Sequence, residues 1–348
     1  MMIVDLMRLT RFAAPLLAAA LAWPLPAAAE TAVHLKLDRK IDGPAAPFFV
    51  AIDRGYFKAE GLDVTIDAAT ADPQDTLKLL TAKRYDLAVA DINRLIEFRD
   101  QTGSGIKAVF AVFDKPPAAI IARRSRGIVA PGDLVGKTVA APAVEPASAR
   151  WPIFAKATDI DVAKVKVENV GQAVRDPMLA SGEVDAVTGS AFMTYVDLKD
   201  RGVPQDDLVV WLMADYGVEL YGDAIMASED FIAEKPDALR GFLRAYVKGL
   251  KETMRDPAGA IESVLRRSDG AKKDVELERL RMAIADNIVT PAVQTGGFGA
   301  VDPVRFAASL DQLALTYRFK AKDKASDSFD PSFLPPPAER SISNTASR

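Results

Sequence analysis

The chain contains no cysteine and a single histidine, His34. Without thiols there is no disulfide framework, no thiolate nucleophile and no thiolate zinc or iron–sulfur site. One histidine, placed where a first strand begins, leaves no material for a Ser-His-Asp triad or a multi-histidine metal centre. Neither a catalytic residue, a metal nor a cofactor is expected, although carboxylate-only chemistry stays open. An excess of positive charge is also lacking: 44 basic residues face 48 acidic ones, a net −4. Nucleic acid and anionic lipid both call for a basic face, which a mildly acidic chain does not offer. With 49% hydrophobic residues the composition is that of a globular protein, and the length suffices for two domains.

What is present begins at the N-terminus. Arg8 and Arg11 precede an uncharged stretch from Phe12 to Leu25, and Ala27-Ala28-Ala29 follows. A basic start, a short apolar middle and an Ala-x-Ala end are the parts of a secretory signal peptide. A membrane anchor is the rival reading, since the uncharged run approaches the lower limit for a spanning helix. Pro15, Pro24, Pro26 and the Ala-rich content favour cleavage, and no cysteine is available for lipid attachment. The expectation is a signal peptide over 1–29, cleavage near Ala29/Glu30 and an exported periplasmic protein. Loss of Asp5, Arg8 and Arg11 leaves a net charge of about −5.

Beyond residue 30, strand-like and helix-like runs alternate, the pattern of an α/β protein. Strands are expected at 33–37, 62–66, 85–90, 137–141, 165–170, 186–188 and 208–213. Helices are expected at 47–54, from Asp72-Pro73, after Asp91, from Ser148, after Ser190, and at 230–254, 274–287 and 301–319. The segment Leu80–Val89 lines up with Leu179–Thr188, about a hundred residues on; each reads as helix end, turn, apolar residue, Asp and short buried strand. In that register Asp91 and Ser190 coincide, both good helix caps. Two similar lobes are expected: 30–122 with 218–320 as the first and 123–217 as the second. From Lys320 the chain turns polar and proline-rich, which predicts a loosely attached tail over 321–348.

The run Ala46-Pro47-Phe48-Phe49-Val50-Ala51-Ile52-Asp53-Arg54-Gly55-Tyr56-Phe57-Lys58-Ala59-Glu60-Gly61-Leu62-Asp63-Val64 closely resembles the opening of substrate-binding proteins of nitrate/sulfonate/taurine-type ABC importers, the NMT1/THI5-like family. Asp215 to Asp223 is similar to that family's return to the first lobe. The resemblance covers roughly Val33 to Phe319. It implies a two-lobed periplasmic-binding-protein fold, type II-like, with two crossing hinge strands and a ligand cleft between the lobes. It also implies hinge closure on a small-molecule ligand and delivery to an ABC transporter permease in the inner membrane, by a protein expected to be monomeric. Two further readings are an enzyme of the same bilobal fold and an extracytoplasmic ligand sensor. THI5-type pyrimidine synthases resemble the family but rely on a cysteine-rich motif that this chain lacks. Menaquinone-pathway enzymes of similar fold fit poorly with export.

Strand ends and helix starts give the candidate ligand contacts: Asp42, Phe48, Asp72, Asp91 and Asn93 in the first lobe, Ser148, Arg150, Trp151, Ser190 and Phe192 in the second. Asp215, Tyr216 and Glu219 are added at the crossover. Each Asp or Ser doubles as a plain helix cap, and each aromatic as core. Open helix N-termini favour anions, but Asp72 and Asp91 would occupy that role themselves. In the second lobe Ser148, Ser190 and Arg150 leave room for an acceptor-rich or anionic group, so the expected ligand is a small nitrogen-containing molecule (an amine, pyrimidine-like, or zwitterionic/sulfonate) rather than a bare inorganic anion. Gly296-Gly297-Phe298-Gly299 matches a phosphate cradle only loosely, having no Lys-Ser/Thr after it.

Overall fold

The protein is described by a computed structural model over residues 29–69 and 76–342. The expected leader, except Ala29, lies outside the described residues, as do Asp72 with its helix start and residues 343–348.

Among the described residues, ten strands form two five-stranded sheets. The first contains β1 (Thr31–Leu37), β2 (Leu62–Asp67), β3 (Leu87–Asp91), β4 (Lys107–Ala111) and β10 (Asp223–Ala227), in the order β2-β1-β3-β10-β4. The second contains β5 (Ala118–Arg123), β6 (Thr138–Ala140), β7 (Lys166–Glu168), β8 (Ala186–Ser190) and β9 (Leu208–Leu212), in the order β7-β6-β8-β5-β9. In each sheet the first three strands run parallel, and the strand beside the central one runs antiparallel. The faint repeat in the sequence thus corresponds to equivalent places: β3 and β8 are the central strands of matched sheets. Both are buried along almost their whole length, as strands covered on both faces must be.

The chain passes from the first sheet to the second between Ala111 and Ala118, and returns between Leu212 and Asp223. The expected boundary after residue 122 is therefore misplaced, because β5 pairs with β8 and β9 of the second sheet. The two crossing segments hold each other: Val112 and Phe113 N–H donate to the Asp223 carbonyl, and Gly222 N–H donates to Phe113 O. A side chain at Gly222 would meet Phe113 Cβ at 2.8 Å and Pro116 Cα at 3.0 Å. Only glycine allows the two crossings to run so close.

In the first lobe, the helix Ala46–Asp53 is apolar nearly all round, and its first six residues, Ala46 to Ala51, are buried. Such a helix must be enclosed. The long helix Pro236–Arg255 encloses it, with Gly249 so close that a Cβ there would lie 2.3 Å from Pro47 O. The single helix expected over 230–254 is two, Glu229–Glu234 and Pro236–Arg255. Proline at 236 cannot donate to the preceding turn and starts a new helix instead.

The loosely attached tail is a second correction. Residues 321–342 pack on the first lobe: Phe333 and Ala325 are buried, Asp330 N–H donates to Ala108 O, and Asp327 pairs with Lys107 and Arg99. The polar composition concealed a few well-placed apolar anchors. Among the described residues, no helix is long and apolar enough to cross a membrane.

Candidate functional site

Between the lobes lies a cavity of about 280 Å³ lined from both sides. The first lobe contributes Asp38 and Arg39 just past β1, Asp42 in the following loop, Asp91 at the end of β3 and Asp223 at the start of β10. The second contributes Gly189 and Ser190 at the end of β8, Pro117 and Ala118 at the start of β5, and the N-terminal turns of the helices Pro146–Ala157, Gln172–Ser181 and Met193–Asp200. The cavity therefore sits beyond the carboxyl ends of the parallel strands, where open α/β sheets form their sites.

Its lining is charged and internally paired. Arg150, one turn into its helix, donates through Nη2 to Asp91 Oδ2 at 2.5 Å across the cleft. Both side chains are buried, with exposures of 5% and 7%. The other oxygen of Asp91 caps its own helix, accepting from the N–H groups of Asn93 at 2.9 Å and Arg94 at 3.1 Å. Arg39 pairs with Asp223, and Arg175 with Glu145 and Asp176. Arg175 also donates to Thr194 Oγ1 at 2.8 Å, which in turn accepts from Ser190 N–H. Among the described residues, six carboxylates thus face three arginines in the lining.

Burial sets the proton affinities. Asp42 is pushed up to about 6 by desolvation; Arg39 opposes the rise and Glu276 adds to it. Burial likewise raises Glu145, against the pull of Arg175. Arg175 itself is buried, yet its pairs with Asp176 and Glu145 outweigh the desolvation and raise it.

Asp91, Glu145, Pro146 and Arg150 also line a smaller hollow of about 60 Å³ with Glu97, Asn93 and Leu313. The Asp91–Arg150 pair is thus a wall between two chambers. At the rim, the helices Met193–Asp200 and Lys273–Met282, with the residue before it, are tied by Lys199–Glu278, Arg279–Asp197 and Lys272–Asp200.

Of the residues expected at the site, Asp42, Asp91, Arg150, Ser190 and Phe192 line this cavity. The others among the described residues lie elsewhere. Phe48 is core, its ring 4.4 Å from Tyr246. Asn93 turns its amide to Asp91 and to Tyr221 O, positioning the carboxylate from behind. Ser148 bonds Thr188 at 2.7 Å, because Pro146 rather than Ser148 opens the helix. Trp151 is buried beside Phe154, as is Tyr216 in part. Asp215 pairs with Lys115 at 2.6 Å, and exposed Glu219 is anchored through its backbone by Gln312 and Arg305. Sequence reasoning missed Asp38, Arg39, Glu145, Arg175, Asp197 and Asp223. Asp38 and Arg39 carried a usable signal, following directly on a strand end; Arg175, inside a helix, carried none.

Comparison with known proteins agrees with this architecture. A family model described as "NMT1/THI5 like" matches residues 44–260. The chain is 29% identical over 260 residues, 73% of its length and 76% of the relative's, to a formylaminopyrimidine-binding protein of Halalkalibacterium halodurans. It is 23% identical to a 4-amino-5-hydroxymethyl-2-methylpyrimidine phosphate synthase of Schizosaccharomyces pombe, covering 61% of this chain and 62% of that one. Among solved structures, the periplasmic aliphatic sulphonate binding protein SsuA of Escherichia coli superposes with a TM-score of 0.66 at 14% identity, covering 82% of this chain and 86% of that one. The fold is that of the periplasmic binding proteins.

Proposed function

The chain belongs to the NMT1/THI5-like family, and from that premise we propose that it is the solute-binding component of an ABC importer for a small nitrogen-bearing ring of the pyrimidine class. The observation that carries this reading is the cleft cavity, built from both lobes and richer in carboxylates than in arginines. A ligand with N–H donors satisfies such a lining; nitrate or a sulfonate would confront Asp42, Asp91 and Asp223 with like charge. The formylaminopyrimidine-binding relative points to the same chemistry. In this reading the leader directs export, the mature chain starts near Glu30, and a monomer with closed lobes presents the ligand to the permease.

The synthase relative supports a second reading, an enzyme on the same fold. Against it stands the residue inventory: no cysteine, and a lone histidine that is exposed on β1 and absent from the cavity lining. Isothermal titration of the mature protein tests the proposal. Saturable binding of an aminopyrimidine or formylaminopyrimidine, returned unaltered, is expected. Tight binding of nitrate or alkanesulfonate without any response to pyrimidines would overturn it.

A further inference from the structure

Arg150 is almost entirely buried, and its guanidinium is only partly used. Nη2 donates to Asp91, whereas Nε is buried with no hydrogen-bond partner. A buried N–H on a charged group left unpaired is costly, more so than an amide's. The fixed planar fork of a guanidinium suits a second acceptor beside the first. Asp91 cannot supply that acceptor, since its remaining oxygen is occupied by its own helix start. Arg150 borders the cavity directly.

We propose that Arg150 is a specificity-determining residue that reads a hydrogen-bond acceptor on the ligand, a carbonyl oxygen or ring nitrogen, through Nε–H while Asp91 holds its other arm. The inference rests on the reading of the cleft as a pyrimidine site and adds a polarity to it. The ligand's N–H groups face the carboxylates of the first lobe, and its acceptor faces the second lobe. Because the Asp91–Arg150 pair spans the cleft, the same acceptor stabilises the closed arrangement of the lobes.

The test compares a formylaminopyrimidine with the corresponding aminopyrimidine lacking the formyl oxygen, by titration against the wild-type mature protein and Arg150→Lys. Lysine keeps the charge and can still meet Asp91, but it has no fork. Wild type should prefer the formylated compound by about tenfold or more, the size of a hydrogen bond to a charged group. Arg150→Lys should lose that preference, the formylated compound weakening by about tenfold more than the deformylated one. Equal weakening of both compounds, or an unchanged preference, would make Arg150 a strut between lobes and overturn the inference alone. Absence of any pyrimidine binding by wild type would overturn the parent reading and this inference with it. If the variant does not fold, proton exchange at arginine Nε in the wild type replaces it. One strongly protected Nε–H appearing only with the formylated compound is expected, and no difference between the compounds contradicts the proposal.

Discussion

Asp42 concentrates the tension between stability and binding in one side chain. Its carboxyl is buried and pushed up to about 6, with Arg39, Glu276 and Arg279 as its charged neighbours. Because the folded value exceeds the unfolded one, the fold holds this proton more tightly than the unfolded chain does. The associated stability is present below about pH 4 and is lost as pH rises through 6. The cost at neutral pH is on the order of 3 kcal/mol. Asp42→Asn keeps an oxygen for the Ala45 N–H and removes the charge. It should therefore raise the melting temperature at pH 7 by a few degrees and flatten the dependence of stability on pH between 4 and 6, followed by thermal melts across that range. The same variant should weaken a ligand that donates to the carboxylate by at least tenfold, read by titration. An unaltered melting profile with unaltered affinity would show that Asp42 stands idle.

Within elements, the rigid parts and the adjustable parts separate. The crossing segments approach where Gly222 faces Phe113 and Pro116, so Gly222→Ala forces backbone apart. A loss of about 1–3 kcal/mol is expected from denaturant melts. The rim pairs between the helices Met193–Asp200 and Lys273–Met282 are a different case. Lys199 and Lys272 are partly exposed, and exposed pairs contribute roughly 0–1 kcal/mol each. Replacing both lysines with alanine should shift ligand affinity by less than about tenfold, and added salt should mimic the change. Most of these elements were legible in the sequence: the first strand, the apolar helix after Ala46, and the repeat that placed Asp91 and Ser190 at equivalent strand ends. The tail was misread, since Phe333 and Phe329 anchor a segment whose average composition is polar.

The whole molecule is two matched α/β lobes with a charged chamber between them, and its predicted behaviour is that of a closing receptor. A cognate ligand at a hundred times its dissociation constant should add about 2.7 kcal/mol to the stability, visible as a rise of roughly 5 °C in melting temperature. Intact mass of protein recovered from the periplasm should correspond to a chain beginning at Glu30. Retention of the leader, or of the protein within the cytoplasm, would contradict the proposed route.

The sequence by itself determined the α/β class, the repeat that underlies the two sheets, the family and the lack of thiols. The class and the repeat follow from local periodicity, composition and spacing, which neighbouring residues carry on their own; the family rests on the resemblance carried by the run Ala46 to Val64. Only the tertiary structure decided the site. Asp91 meets Arg150, and Arg39 meets Asp223, across separations of 59 and 184 residues. No local pattern encodes such pairs: the first joins the two lobes across the cleft and the second joins two strand ends of one sheet, and both exist because the tertiary fold gathers buried charges where they need partners.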